Sequence, residues 1–459
     1  MGTTPSIYDL VDARYMALDH KPNSPQAHAM CKLLAAGLAG GDDKRTYRRR
    51  GVQQQRFEDA VGRVVADLLL AYADNRDGWS FRSSGAKAFT GDYVSYRTFT
   101  SIMTPALAHG LVECVRGFHK LCPFSDEETG DTSPVSAPGN MTNRYRATPA
   151  LRQLAQGFGI TPDAIDQHFL QDLPKHPLEL RTASFWTAGE KIGGKPMPYK
   201  KTPRTEHLEA ELHELNRFND TAVITGGTHR GYRRIFSQGD KPEFDWNKGG
   251  RLYSQGRHPY QQLPSEERLK MTINGEPVAE IDVSGSLLAI MHGALGKPFD
   301  ATKDPYSVGH YDQYIPRAVV KTWVTMTIGY QGFHDDWPKG AVERLAQEGI
   351  DVTKRPIERL GPLILHYIPI LEEWPQQKPK LTCHDLMFHE STALLDTMLT
   401  LKREHQLPSL SVHDSLIVPI SAVGLATQLL KESYGRVCGV EPGVKVKMGA
   451  VANSEEAAD

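Results

Sequence analysis

Apolar residues recur at two spacings along the chain, and these spacings predict a mixture of helices and strands. Residues 56–75 (RFEDAVGRVVADLLLAYADN) carry apolar side chains at helical spacing and predict a helix. Residues 111–117 (LVECVRG) alternate between apolar and polar side chains, as strands do. Residues 410–419 (LSVHDSLIVP) have the alternation of two β-hairpin arms, and a histidine and an aspartate stand at the tip. We therefore expect an α+β protein.

The order of elements between residues 76 and 160 is typical of a winged helix-turn-helix module. Two helices and a strand precede a Pro/Ser/Asp/Gly-rich segment, and a second strand and a helix follow it. On this hypothesis the module binds DNA through a groove-facing helix and the basic flanks of its wing. The positions concerned are Arg97 with Thr98 and Thr100 on the helix, and Arg116, His119, Arg144 and Arg146 beside the wing. The alternative is a small helical domain with one hairpin and no ligand.

A basic run lies upstream of this module. Residues 44–56 (KRTYRRRGVQQQR) hold six basic side chains and no acidic one, with Arg48, Arg49 and Arg50 at the centre. Such a run can neutralise phosphates without reading sequence. It can equally be a solvated face.

Length and composition limit the class of protein. A chain of 459 residues is too long for one ordinary core and is expected to form several domains. We predict a helical N-terminal region with a basic arm (1–75), the winged-helix-like module (76–160), a helical connector (161–219) and a catalytic domain (220–459). An apolar content of 39% and a net charge of −2, without a long apolar stretch, favour a cytoplasmic protein that does not enter a membrane. Five scattered cysteines fit reduced thiols.

Two carboxylates occupy predicted strand ends in the C-terminal half. Asp282 ends the strand of AEIDVSGSLLAIMHG, ahead of a Ser-Gly turn and a helical segment, and Asp414 stands at the hairpin tip. Strand ends are where α/β sheets present chemistry. Two carboxylates side by side repel each other unless a cation separates them. Mg²⁺ prefers oxygen ligands, and a two-metal site can clamp the attacking and leaving oxygens of phosphoryl transfer.

A cationic helix is predicted between these two aspartates. RAVVKTWVTMTIGYQG places Arg317 and Lys321 four residues apart on one helical face, with Tyr330 farther along. Such cations can bind the phosphates of a nucleoside triphosphate, and an aromatic ring can stack on a base.

In this order, the motifs resemble the polymerase domain of family A DNA polymerases and of the single-subunit phage and mitochondrial RNA polymerases. Asp282 with Ser284 matches the first catalytic-carboxylate motif, residues 317–330 match the fingers helix, and residues 412–414 match the second carboxylate hairpin. GGRLYS (249–254) is similar to a segment set against template and primer, and KDPY (303–306) to an Asp-x-His segment. The tail is similar to the family's C-terminal strand. The resemblance covers roughly residues 251–457.

The resemblance implies a right-hand palm and fingers that add nucleotides to a 3′-hydroxyl on a DNA template, with RNA possible as template or product. Two Mg²⁺ ions, or Mn²⁺ in their place, would be bound at Asp282, Val283 and Asp414. Lys321 would donate charge to the leaving group, and His413 would approach the primer-terminal phosphate, although it could simply cap the turn. Nucleotide contacts would come from Arg317, Lys321, Tyr330, Ser284 and Leu287, and template or primer contacts from Arg251, Tyr253 and His413.

Two departures from the family pattern concern the sugar of the nucleotide. Leu287 stands where DNA-making members usually have glutamate, and Ser415 stands where most DNA polymerases have glutamate and the RNA polymerases have serine. Both lean towards RNA synthesis, by a primase or a small RNA polymerase. The tail and the short motif spacing favour a DNA polymerase of a phage or mobile element. A third hypothesis is an inactive DNA-binding replication initiator or regulator.

Overall fold

The computed structural model describes most of the chain, and the chain divides into two compact units, Met1–Asp172 and Leu173–Asp459. The predicted connector at 161–219 is divided between these two units. Arg48, Arg49, Arg50, His119 and the tail beyond residue 449 lie outside the described residues. The described residues are 10, 12–39, 51–75, 77–118, 121–125, 132–136, 141–187, 190–308 and 315–449.

The N-terminal unit combines helices with small sheets. Its helices are Pro25–Ala39 (α1), Val52–Asp74 (α2), Tyr96–Ala108 (α3), Pro149–Gly157 (α4) and Ile165–His168 (α5), with 3₁₀ turns at Ala86–Phe89 and Pro162–Ala164. Its strands are Arg14–Tyr15 (β1), His20–Pro22 (β2), Trp79–Phe81 (β3), Val112–Val115 (β4), Leu121–Ser125 (β5), Thr132–Ser136 (β6), Arg144–Ala147 (β7) and Phe169–Gln171 (β8). Strands β1, β3, β7 and β4 form one sheet in that spatial order.

Helix α2 confirms the predicted helix, and it is the centre of this unit's core. Phe57, Val61, Val64 and Leu68 are buried along one stripe of the helix at helical spacing. Of the two helices predicted before the 111–117 strand, the structure has one directly ahead of it, α3. Helix α3 starts after Ser95 because the Ser95 hydroxyl accepts a hydrogen bond from the Thr98 backbone at 3.2 Å and so caps the helix.

The C-terminal unit has more helices around a larger sheet. Its helices are Pro203–Asn219 (α6), Ser265–Arg268 (α7), Ser286–Ala294 (α8), Arg317–Tyr330 (α9), Lys339–Gln347 (α10), Ile357–Tyr367 (α11), Ile370–Glu373 (α12), Cys383–His405 (α13) and Val423–Cys438 (α14), with 3₁₀ turns at Tyr260–Gln262, Trp374–Gln377 and Ile420–Ala422. Its strands are Leu178–Arg181 (β9), Phe185–Thr187 (β10), Glu190–Ile192 (β11), Pro196–Met197 (β12), Ile224–Thr225 (β13), Tyr232–Phe236 (β14), Gly249–Ser254 (β15), Thr272–Ile273 (β16), Glu276–Val283 (β17), Leu410–Val412 (β18), Ser415–Pro419 (β19) and Val444–Met448 (β20).

Strand β17 lies in the middle of the main sheet, and it pairs antiparallel with β19 on one side and with β20 on the other. Ile281 and Val283 point from β17 into the core and are buried. Because successive side chains of a strand point to opposite faces, Asp282 lies on the other face of the sheet. The two buried neighbours thus fix the direction in which Asp282 projects.

Helix α9 has one buried face and one open face. Val319, Val320, Trp323 and Val324 pack into the core and anchor the helix. The opposite face, which carries Arg317 and Lys321, is left to solvent. Among the described residues, no helix combines the length and the apolar character that crossing a membrane requires.

Candidate active site

Two aspartates that are distant in sequence come from neighbouring strands of the main sheet. Asp282 of β17 is the direct cross-strand partner of Ser415 in β19, and the Ser415 hydroxyl donates a hydrogen bond to Asp282 Oδ1 at 2.8 Å. Val412 pairs with Ser415, so that His413 and Asp414 form the two-residue turn between β18 and β19. His413 has a φ of 53°, in the left-handed region. The sheet register and the turn therefore place Asp282 and Asp414 on either side of Ser415, one across the strand pair and one beside it in the chain.

The environment of Asp414 disfavours its negative charge. Burial raises the pKa of Asp414 from its ordinary value of 3.8 to about 7, and the Glu390 and Asp282 carboxylates add to the rise. Asp414 is half-buried, so solvent reaches only part of it. A site that accumulates this much negative charge in a partly dry environment is suited to a cation with oxygen ligands.

Glu390, on helix α13, is a buried member of the site that sequence reasoning missed. Glu390 is 1% exposed. It accepts a hydrogen bond from Ser286 Oγ at 2.8 Å and forms an ion pair with Arg251 at 2.6 Å. Ser286 in turn lies 3.0 Å from the buried hydroxyl of Tyr434. The available signal was a charged residue within an apolar stripe, four residues after Leu386 and four before Leu394.

Arg317 and Lys321 differ in what they contact. Arg317 Nε donates to Asp304 Oδ2 at 2.6 Å, and Lys445 Nζ on β20 reaches the same oxygen at 3.2 Å. Burial opposes the charge of Asp304, but the hydrogen bonds from Arg317, the Tyr306 backbone and Lys445 together hold its pKa at about 2. The Lys321 side chain is exposed on the open face of α9.

Tyr306 brings a hydroxyl into the same electrostatic environment. Its ring is 7% exposed and lies under the Arg317 guanidinium at 5.3 Å. Burial and the carboxylate of Asp414, and to a smaller extent those of Asp304 and Asp282, raise the pKa of Tyr306 to about 12, so it stays a neutral hydrogen-bonding group.

The remaining predicted nucleotide contacts are dispersed. Tyr330 is 55% exposed and stacks on the His334 ring at 4.5 Å. Ser284 is half-buried in the turn after β17, where its backbone N–H donates to Gly443 O at 2.8 Å. Leu287, at the start of α8, packs partly buried against the core. The structure thus holds Ser284 and Leu287 beside the strand end, and leaves the Tyr330 ring largely open.

The predicted template and primer contacts lie on β15 and on the hairpin tip. Tyr253 is 38% exposed, whereas Arg251 is held by Glu390. His413 is exposed. Desolvation of its imidazole and the nearby Arg251 lower the pKa of His413 and favour a neutral ring.

The predicted DNA contacts of the N-terminal unit fall into two groups. Arg97 on α3 and Arg116 after β4 are exposed. Arg144 instead lies over the Phe81 ring at 4.7 Å and donates to the Leu10 carbonyl. Arg146 pairs with Glu113 at 2.8 Å and lies over the Trp79 ring at 4.5 Å.

A buried group of possible cation ligands occurs elsewhere in the N-terminal unit. His20 Nδ1 lies 2.8 Å from Asp19 Oδ1 and 3.8 Å from Asp67 Oδ1. Burial raises the pKa of Asp67 to about 6 although His20 acts in the opposite direction. Two carboxylates and one imidazole are ligand types that can hold a metal ion.

Comparison with known proteins finds similarity among solved structures only. No family model matches the chain, and no curated protein matches it. Among solved structures, the chain is similar to the POL domain of Pol1 from M. smegmatis in complex with DNA primer-template and dNTP. The two share 17% identity with a TM-score of 0.29, over 44% of this chain and 45% of that chain. The match therefore spans less than half the length of either.

Proposed function

We propose that this protein is a template-directed nucleotidyltransferase that adds nucleotides to a 3′-hydroxyl. The observation that carries the proposal is the arrangement of the main sheet, where the register of β17 with β19 and the turn after β18 bring Asp282 and Asp414 together. Helix α9 contributes Arg317 and Lys321, which are suited to a triphosphate. Carboxylates for metal and cations for phosphate are the components that phosphoryl transfer requires.

The carboxylates fit a divalent cation. Asp414 has a raised pKa because Glu390 and Asp282 add to the effect of burial, and a bound cation would replace the proton that this environment favours. Asp282 and Asp414, with the main chain at Val283, would hold Mg²⁺ or Mn²⁺. When bound, such ions activate the attacking hydroxyl and stabilise charge on the transferred phosphate.

The protein's own cations act on the other end of the nucleotide. Arg317 and Lys321, one turn apart on α9, would bind the phosphates, and Lys321 would donate charge to the departing pyrophosphate. Two residues would face the primer end: Arg251 of β15, which pairs with Glu390, and His413 at the hairpin tip. Leu287 and Ser284 would line the sugar pocket, with Tyr330 beside the base.

Between the possible products, the proposal leans towards RNA on a DNA template. Leu287 supplies no carboxylate to repel a ribose 2′-hydroxyl, and Ser415 uses its hydroxyl on Asp282. A deoxyribonucleotide polymerase of a phage or mobile element is the second candidate, since a bulky Leu287 can itself exclude the 2′-hydroxyl. An inactive DNA-binding initiator is the third candidate. The repulsion among the carboxylates around Asp414 argues against it, because such repulsion serves no purpose in a protein that binds no cation there.

We further propose that residues 76–160, within the N-terminal unit, form a winged-helix DNA-binding module. Its support is the succession α2, β3, 3₁₀ turn, α3, β4 and β7, with β7 between β3 and β4 in the sheet. Helix α3 buries Phe99 and Ile102 while exposing Arg97 and Thr100, so a polar face is free to enter a groove. In this arrangement Arg97 and Arg116 are the strongest candidates for phosphate contacts.

Extension of labelled primers tests the proposed activity. The full chain is incubated with primed and unprimed single-stranded DNA and RNA, with ribo- or deoxyribonucleotides and Mg²⁺ or Mn²⁺. Product that follows the template sequence and disappears with EDTA supports the proposal. Absence of incorporation on every template, by folded protein that binds DNA, would support the initiator hypothesis.

A further inference from the structure

Lys445 projects from the same face of the main sheet as the candidate metal ligands. It lies on β20 directly opposite Asp282, and Asp282 has Ser415 as its direct partner on the other side. Direct cross-strand partners have their side chains on one face of a sheet. Lys445 is exposed, so its ammonium group lies at the surface above this row.

Lys445 and Arg317 converge on a single carboxylate oxygen. Asp304 Oδ2 lies 2.6 Å from Arg317 Nε and 3.2 Å from Lys445 Nζ, although the two cations come from a helix and a strand far apart in the sequence. Asp304 Oδ1 accepts from the Tyr306 backbone at 3.1 Å, which fixes the carboxylate between the cations. An anionic oxygen shared by an arginine and a lysine is also how a phosphate oxygen is bound.

We propose that Lys445 is a polyphosphate-binding residue and that a nucleotide's phosphate replaces the Asp304 carboxylate between Lys445 and Arg317. The inference rests on the proposed function and adds to it a phosphate contact from β20. Exchange of one anionic oxygen for another gives both cations an anionic partner before and after binding, so neither ends without one. The ligand class is a nucleoside triphosphate or the pyrophosphate product, which has the charge to compete with Asp304.

The same strand provides a matched control. Lys447 lies two residues farther along β20, opposite Glu280 and on the same face as Lys445. Its Nζ lies 3.4 Å from Ser265 Oγ. Lys445→Ala and Lys447→Ala therefore remove the same charge from the same exposed strand, but only Lys445→Ala alters the Asp304 cluster.

Calorimetric titration of the full chain with inorganic tripolyphosphate, without metal or DNA, tests the site directly. Loss of one charge-assisted hydrogen bond predicts that Lys445→Ala weakens binding on the order of tenfold. Lys447→Ala should stay within about twofold of wild type, as expected for an exposed charge outside the site. Asp304→Asn should bind at least as tightly as wild type because the competing anion is gone. Equal binding by Lys445→Ala, or weaker binding by Asp304→Asn, overturns the inference.

Primer extension separates this inference from the proposed function. In an active protein, Lys445→Ala should raise the KM for the nucleotide by the same factor as its loss of tripolyphosphate affinity, with kcat nearly unchanged. Wild-type protein that binds tripolyphosphate through Lys445 yet extends no primer contradicts the polymerase proposal alone. If wild-type protein extends primers, and Lys445→Ala has the same KM and the same tripolyphosphate affinity as wild type, only the inference about Lys445 is contradicted.

Discussion

Replacing Asp414 by asparagine should make the metal-free protein more stable while removing its activity. The pKa of Asp414 is raised from 3.8 to about 7, so ionising this side chain near neutral pH works against folding. At about 1.36 kcal/mol per pH unit, the full rise corresponds to about 4 kcal/mol. Because Asp414 is half-buried and partly screened, we expect about 2 kcal/mol to be gained in the variant.

The sign of this effect sets its pH dependence. A carboxyl whose pKa is higher in the folded than in the unfolded state destabilises the fold as pH rises from the unfolded to the folded value. The stability difference between Asp414→Asn and wild type should therefore be small near pH 4 and grow until about pH 7. Urea unfolding in EDTA at a series of pH values measures it.

Two further measurements make this prediction specific. Asp304→Asn is the control of opposite sign, because the pKa of Asp304 is held at about 2 and its charge supports the fold near neutral pH. Addition of Mg²⁺ or Mn²⁺ should stabilise wild type and leave Asp414→Asn unchanged, since only the native carboxylate pair binds the ion. An Asp414→Asn protein that is less stable than wild type at pH 8 in EDTA would refute the account of crowded negative charge at this site.

Three other substitutions have distinct expected results. Glu390→Gln removes the ion-pair partner of the partly buried Arg251 and should lower the free energy of unfolding by about 3 kcal/mol. Glu214→Gln, in a more exposed ion pair, should cost less than about 1 kcal/mol, and urea unfolding compares the two. Leu287→Glu should reduce ribonucleotide incorporation more than deoxyribonucleotide incorporation if Leu287 leaves the sugar pocket open, and competitive incorporation with both nucleotide sets measures the ratio. Arg97→Glu should weaken duplex binding and lower the slope of affinity against salt by about one, without affecting extension of short templates; binding titrations at several salt concentrations give the slope.

Local periodicity was sufficient to predict the elements that carry the site. Alternation in residues 410–419 predicted the hairpin whose turn holds Asp414, and the apolar spacing after Arg317 predicted helix α9. The Ser-Gly turn after β17 was equally visible, because Gly285 adopts a φ of 63° that favours glycine before a helix begins. These features depend on neighbours a few residues away.

The contacts made between distant segments could not be predicted in this way. Glu390 joins Arg251 and Ser286 from three separate elements, and Lys445 meets Asp304 only because β20 pairs with β17. Strand order and register between distant segments decide such pairs, and periodicity within one segment carries no information on them. A local signal was also overlooked: the Ser95 hydroxyl caps helix α3 at its start, so the helix begins at Tyr96.

Primer extension by Asp282→Asn, Asp414→Asn and the double variant tests the central claim most directly. Both carboxylates would serve one metal centre, so each single substitution should lower the rate on the order of a thousandfold or more, and the double variant should be hardly slower than either. Ser415→Ala, which removes only the hydrogen bond to Asp282, should cost much less. A folded Asp414→Asn protein that extends primers at close to the wild-type rate would contradict the assignment of this site and the polymerase proposal with it.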